Sequence, residues 1–375
     1  MRQKCKILLS WFFFCFLTQT AFGINPFDDL PYKASPGIRG TPMDTLAALT
    51  DFGQRTNHVY FITTVILVLV FLAVCLPLIY IMFRFKAPKG DLTHLPPPKQ
   101  VHGNALLEFT WTIIPVILLL FIAVPTWEAI FAQPEKAPEG ALEIEVIGHQ
   151  WWWEFRYPKE GIVTANELHL PENRPVFLTM WSDDVIHSFW IPKFGGKKDV
   201  LPGVHNTLFF TSPAVQDPKI KGGEYYQGQC AELCGLSHAL MRFEAVVHHQ
   251  DEFDRWVLTH NEPPQVTTET HKKGEMVFNQ CQACHTISGT PSENLDKQMA
   301  AMNQKKAGPN LTNFGSRRTL GAGIRLNTPE NLAQWIETPE HMKPGSRMVG
   351  LGLSKEDIHA VAAYIRQTTA KNYVK

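Results

Sequence analysis

The sequence predicts a multidomain chain: a two-helix transmembrane hairpin, then an all-β sandwich or barrel, then a smaller C-terminal domain built around a haem-attachment motif. Three observations carry this. Two charge-free apolar runs are each long enough to cross a bilayer. Between about 135 and 250, short alternating segments are punctuated by Pro and Gly. After a Pro- and Thr-rich stretch, "NQCQACHT" supplies Cys-x-x-Cys-His. The 375 residues carry 35 basic and 35 acidic side chains. That balance lacks the basic excess a nucleic-acid partner calls for, and none is expected.

Residues 1–23, "MRQKCKILLSWFFFCFLTQTAFG", have a basic start, an apolar stretch and small residues before a polar segment, the pattern of a secretory signal peptide cleaved after Gly23. The run is short for a membrane span. Residues 24–133 then form an N-terminal segment and the hairpin, with helices expected over about 59–83 and 109–131. Pro77, Pro115 and Pro125 are tolerated in membrane helices, where neighbours satisfy the freed backbone groups. Between the helices, Arg84, Lys86, Lys89 and Lys99 face a single Asp91, so this loop is expected in the cytoplasm. Both ends of the hairpin, and everything after about residue 130, then lie on the extracytoplasmic side of the bilayer.

In "ALEIEVIGHQWWWEFRY", Leu142, Ile144 and Val146 alternate with Glu143 and Glu145; in "RPVFLTMWS", Val176, Leu178 and Met180 share a face. Both are patterns of half-buried strands, and they open a domain expected over 134–258. Near its end stands "CAELCGLSHALM", which puts Cys230, Cys234, His238 and Met241 within twelve residues. Two thiolates, an imidazole and a thioether suit a soft metal such as copper. A lone blue-copper ion uses one Cys, so the second is surplus unless two coppers share the thiolates, and a further imidazole is then needed. "DVIHSFWIP" offers His187. A Cys₂His₂ zinc site from His187, Cys230, Cys234 and His238, or a Cys230–Cys234 disulfide, remains open on the residues alone.

These strings resemble the dinuclear copper A centre of cytochrome c oxidase subunit II. The resemblance implies a cupredoxin-like β-barrel or sandwich in which Cys230 and Cys234 bridge the coppers. His187, His238, Met241 and the backbone carbonyl of Glu232 are then the terminal ligands. The Glu232 carboxylate matches a family glutamate that serves a magnesium or manganese site shared with subunit I. "GHQWWWEFRY" resembles the family's aromatic segment, in which Trp151 matches the tryptophan that receives electrons from cytochrome c; packing accounts for at least one of Trp151, Trp152 and Trp153. "LEFTWTIIPVILL" resembles the start of the second span, where Glu108 matches a carboxylate at the mouth of a proton channel into subunit I. A carboxylate flanking a span is more often simply solvated.

Ordinary members stop near residue 258. Here "HNEPPQVTTET" reads as a linker over 259–270, followed by a domain over 271–375. Cys-x-x-Cys-His marks covalent attachment of one haem c to Cys281 and Cys284 with His285 as an axial ligand; no βαβ pattern supports the rival thioredoxin-like pair. The remainder resembles an all-α class I cytochrome c. "AGPNLTNFG" matches the turn whose proline, Pro309, packs on the proximal histidine. "PGSRM" matches the loop carrying the sixth ligand, which gives Met348 over Met342. Ser354 with Asp357 reads as a helix cap, and Ile358, Val361, Ala362 and Ile365 form the apolar stripe of a terminal helix.

As a whole the chain resembles subunit II of a caa-type cytochrome c oxidase in the cell membrane, with a donor cytochrome fused in cis. The resemblance implies electrons arriving from a c-type cytochrome or an upstream cytochrome bc1 complex, then passing through haem c and copper A to haem a of subunit I. Oxygen reduction at haem a3 and copper B, with proton translocation, is implied there; subunit III is a further implied partner. Two other classes share parts of the pattern. A nitrous oxide reductase-like protein also has copper A but needs clustered histidines, whereas these fifteen are scattered. A non-catalytic copper carrier has no use for a haem domain. Quinol oxidase subunits lack the cysteines and Met241.

Overall fold

The computed structural model describes residues 44–86, 90, 100, 102–302 and 306–367. The expected signal peptide, and Lys89, Asp91 and Lys99 of the interhelical loop, lie outside the described residues.

Helix α1 runs Asp51–Arg84 and α2 runs Ala105–Phe131. Both begin before the apolar runs do. At about 1.5 Å per residue, α1 is about 51 Å long against a hydrocarbon core of about 30 Å. Its first two turns therefore belong to the extramembrane structure. Thr50 caps them by accepting from Gly53 N at 3.1 Å, and its hydroxyl donates to the Phe194 carbonyl. The Asp51 carboxylate accepts from Thr211 N at 2.8 Å, so the helix is anchored to the β-domain before it leaves it. Beyond that point Leu, Val, Ile and Phe side chains of both helices are exposed, which is the surface a lipid phase covers.

The β-domain is two five-stranded sheets packed face to face. One orders β3 (Ile162–Ala165), β2 (Trp152–Tyr157), β1 (Leu142–His149), β5 (Pro175–Ser182) and β8 (Asn206–Thr211); the other orders β4 (Glu167–Pro171), β10 (Arg242–His248), β9 (Glu224–Cys230), β6 (His187–Trp190) and β7 (Lys198–Val200). The predicted alternation is the observed one. Leu142, Ile144 and Val146 are buried while Glu143 and Glu145 are half-buried, and Val176, Leu178 and Met180 are buried opposite them. Burying each such apolar side chain contributes roughly 1.5–3 kcal/mol before entropy is counted. Trp153, Phe189 and Phe243 fill the space between the sheets, with ring centroids 4.8–5.6 Å apart. Of the three consecutive tryptophans, Trp153 is thus the packing residue.

Helix α3 (Gln250–Thr259) closes this domain, and α4 (Glu269–Phe278) opens the next. The intervening stretch is bonded to both sides. His260 is buried, Asn261 donates to the Gly161 carbonyl at 3.0 Å, Ser288 donates to Asn261 at 3.3 Å, and Val266 packs on the C-terminal core.

The C-terminal domain adds α5 (Pro291–Ala301), α6 (Pro329–Glu337), a short α7 (Pro339–Met342) and α8 (Lys355–Arg366), with a two-residue antiparallel pair, β11 (Thr319–Leu320) and β12 (Arg325–Leu326), that an all-α expectation does not include. Ser354 caps α8 by accepting from Asp357 N at 3.1 Å, and Ile358, Val361, Ala362 and Ile365 are buried as their spacing predicts. Helix α8 crosses α4, where Lys273 pairs with Glu356 and Asp357. At the crossing a Cβ on Gly274 would lie 2.1 Å from the Ala360 carbonyl oxygen. Gly274→Val is therefore expected to destabilise the C-terminal domain by about 3 kcal/mol or more, seen as a lowered midpoint of its thermal unfolding while the β-domain melts as before.

Candidate metal centre and haem cleft

The end of β9, the start of β6 and the turn before β10 converge on one point. Cys230 N donates to the Met241 carbonyl at 2.9 Å and Ala231 N to the Ser188 carbonyl at 2.9 Å, which locks the loop 230–241 over the first residues of β6. The sulfurs of Cys230 and Cys234 are 3.7 Å apart. His187 Nδ1 is 3.9 Å from the Cys230 sulfur, and His238 Nδ1 is 3.6 Å from that of Cys234. The Glu232 carbonyl lies 3.2 Å from the Cys230 sulfur, and Met241 Sδ lies 3.8 Å from that of Cys234. His187, Cys230, Cys234 and Met241 are buried, His238 is half-buried, and the Glu232 side chain is exposed.

This donor set fits two soft ions better than one. The sulfurs are not bonded to each other, each has its own imidazole, and a thioether and a carbonyl complete the two ends. A Cys₂His₂ zinc ion would leave Met241 with nothing to do. The contact between the two sulfurs pulls the Cys230 thiol below its usual range and pushes that of Cys234 above it.

Asp184 has no place in the sequence expectation, although a carboxylate three residues before a metal-ligating His is a usable signal. Its Oδ1 accepts from His187 Nε2 at 2.9 Å, which leaves Nδ1 directed at the sulfurs, and its Oδ2 accepts from Gln150 N at 2.7 Å. Burial raises the Asp184 carboxyl, but the bonds from His187, Gln150 and Val185 outweigh it and hold the group at about 2. Burial works against a charged His187 and is outweighed by Asp184 and Cys230, so its ring is raised.

Gln150 Nε2 and Trp151 Nε1 both donate to the Cys234 carbonyl, at 2.8 and 3.0 Å. Trp151 thus touches the sulfur-bearing loop on one side. On the other lies the C-terminal domain, where a Cβ on Gly345 would fall 2.9 Å from the indole edge. Ser237 donates to the Pro344 carbonyl, Arg242 N to the Ala322 carbonyl at 3.2 Å, and Arg318 N to Glu167 at 2.9 Å. The Arg318 guanidinium also pairs with Glu244 and lies 4.5 Å over the Tyr225 ring.

The second site is a cleft of about 230 Å³ whose lining includes Cys281, Cys284, His285, Pro309 and Met348, but not Met342. His285 Nδ1 is 2.8 Å from the Pro309 carbonyl; since a carbonyl only accepts, Nδ1 carries the proton and Nε2 is the free lone pair. Burial lowers the His285 ring and raises the Cys281 thiol to about 11. A mostly apolar cleft with a neutral imidazole, a thioether and two cysteines at its wall fits a covalently attached haem. One wall belongs to the β-domain: His149 and Trp152, stacked at 4.1 Å, line it with Asn166 and Glu167.

Glu108 is remote from both sites. Its Oε1 accepts from Asn104 N at 3.2 Å at the start of α2.

The family model described as cytochrome c oxidase subunit II, transmembrane domain, matches residues 47–129, the one described as the periplasmic domain of that subunit matches 160–248, and the cytochrome c model matches 271–369. The cytochrome c oxidase subunit 2 of Alkalihalophilus pseudofirmus is 36% identical over 335 residues, 86% of this chain and 91% of that one. That of Bacillus sp. strain PS3 is 40% identical over 295 residues, 75% of this chain and 79% of that one. The solved periplasmic domain of subunit II of cytochrome oxidase from Bradyrhizobium japonicum is 31% identical, with 33% of this chain and 96% of that one covered and a TM-score of 0.30.

Proposed function

Because the chain belongs to the cytochrome c oxidase subunit II family and carries a cytochrome c domain of its own, we propose that it is the electron-accepting subunit of a terminal respiratory oxidase. Reducing equivalents arrive from a c-type cytochrome or a cytochrome bc1 complex at the haem domain, reach the copper domain and leave toward haem a of subunit I, where oxygen is reduced to water with proton translocation. Domains of these two kinds imply copper A and haem c. When bound, these groups supply one-electron storage with little change in geometry.

The chain's own residues do the positioning. Asp184 fixes the tautomer and orientation of His187, and the burial of His187, Cys230 and Met241 keeps water off the sulfurs. The Pro309 carbonyl does for His285 what Asp184 does for His187. Met348, which lines the cleft, would hold the haem iron together with His285. The exposed Glu232 carboxylate is available to a magnesium or manganese ion shared with subunit I. Glu108, at the start of α2, is assigned to the mouth of a proton channel completed by that subunit. The two apolar helices anchor the protein in the membrane. Arg84 and Lys86 at the foot of α1 favour a cytoplasmic connection, with the copper and haem domains on the periplasmic side.

The observation that carries the proposal is the position of Trp151, bonded to the Cys234 carbonyl and packed on the loop that leads to Met348. The test is flash reduction of haem c in the assembled oxidase. Reoxidation of haem c matched by bleaching of the oxidised copper band, ahead of haem a reduction, is the expected result. Reoxidation of haem c without any copper response would overturn the proposed order.

A further inference from the structure

Lys343 lies in the seam between the two domains, 4% exposed, on the wall of the haem cleft. Its Nζ donates to the Trp151 carbonyl at 2.6 Å in the β-domain and to the Gly321 carbonyl at 2.7 Å in the haem domain. Both partners are carbonyls, and neither offsets a charge. An ammonium is strongly hydrated, and moving one out of water costs several kcal/mol. Burial accordingly pushes Lys343 down to about 7, with Arg242 acting in the same direction and Cys234 opposing. Amine and ammonium alike can donate to both carbonyls, so the two bonds do not depend on the charge.

What these bonds achieve follows from where Trp151 is held. Its indole N–H is tied to the Cys234 carbonyl, its ring edge meets Gly345, and its own carbonyl is tied to Lys343. Lys343, Gly345 and Met348 belong to one short loop. A single side chain therefore fixes the backbone of Trp151 to the segment that carries Met348, and through Gly321 to the body of the haem domain. We propose that Lys343 is a positioning residue for electron transfer between the domains, holding the Trp151 indole between the Cys234 carbonyl and the Met348 loop. This rests on the proposed route through the two domains. The electron leaves the reduced haem domain and is taken up by the oxidised copper domain; no bond is made or broken and no proton moves.

The test is a double-mutant cycle in the full-length chain within the assembled oxidase, using Lys343→Met, Trp151→Phe and the double variant. After flash reduction of haem c, Lys343→Met is expected to slow haem-to-copper transfer about tenfold. Reduction of haem c by external donor, and the copper and haem spectra, should be unchanged. In the Trp151→Phe background the same substitution should change the rate by less than about twofold, because its effect acts through the indole. Amide exchange across residues 150–152 of the resting protein should quicken in Lys343→Met, a readout independent of turnover. An unchanged rate in Lys343→Met, or equal slowing in both backgrounds, overturns the assignment. If Lys343→Met fails to retain haem, Lys343→Leu, which likewise offers no donor, is judged by the same criteria. Failure of the wild-type chain to pass electrons from haem to copper would instead overturn the route itself.

Discussion

Replacement of Cys234 by serine is expected to eliminate the signal of one unpaired electron shared equally by two copper nuclei, and oxidase turnover with it, while haem c remains covalently attached and reducible. The reason is positional. The Cys234 sulfur sits 3.7 Å from Cys230, 3.6 Å from His238 Nδ1 and 3.8 Å from Met241 Sδ, so every contact between the two halves of the donor set passes through it or its partner thiol. A serine oxygen is a hard donor on a shorter bond and cannot bridge soft ions as a thiolate does. Residues that merely orient ligands already command 10–100-fold in affinity or activity, so loss of a bridging sulfur should exceed about a hundredfold in turnover. Copper quantified with the paramagnetic spectrum of the purified oxidase checks this. Two coppers per chain with an unchanged spectrum would show that Cys234 is not a bridge.

Met241→Leu is the milder companion, since it removes one terminal donor and leaves both sulfurs in place. The order of severity between the two variants is itself diagnostic. A zinc or disulfide reading of the same cysteines gives no role to Met241, yet it is fully buried against Cys234.

The donors were legible in the sequence because most of them are local. Cys230, Glu232, Cys234, His238 and Met241 lie on one loop whose ends are pinned by β9 and β10, so their spacing carries the geometry. The haem motif is legible for the same reason. Strand alternation predicted which side chains of β1 and β5 face inward, because one face of each is covered by the opposite sheet. Helix α1 was only partly legible. Its first turns, Asp51–His58, are polar, and what makes them helical is the Thr50 cap and the docking of Asp51 on β8 rather than any apolar run. Lys343, Arg318 and Glu244 were not legible at all. Each meets its partner in the other domain across 74 to 192 residues of chain, and a charged residue in a loop or strand reads as solvated until the other domain covers it. Two domains joined by a Pro-rich stretch read as tethered, whereas the structure binds them face to face.

That docked arrangement leads to the second large effect. Arg318→Met is expected to loosen the haem domain from the β-domain by about 3 kcal/mol while both domains stay folded. Glu244 is 2% exposed by side chain, and Arg318, at 26%, supplies the guanidinium that pairs with it across the seam. Removing one member of a buried pair leaves the other charge without that compensation, which is far costlier than removing both. Glu167 keeps its bond from the Arg318 backbone N–H, but like Glu244 it loses the neighbouring positive charge. The Tyr225 face under the guanidinium loses a cation but can keep an apolar contact with methionine. The consequences should be faster proteolysis across 260–268, faster amide exchange at 317–323 and slower haem-to-copper transfer, without change in the haem or copper spectra. Adding Glu244→Leu removes the carboxylate that has lost the guanidinium, and the double variant should recover part of the docking. If Arg318→Met alone leaves proteolysis and exchange at wild-type values, the pair is a surface contact in solution and the seam is held by the Lys343 and Ser237 contacts instead. If the double variant is no better than the single one, the loss lies in the shape of the Arg318 side chain rather than in the charge left on Glu244.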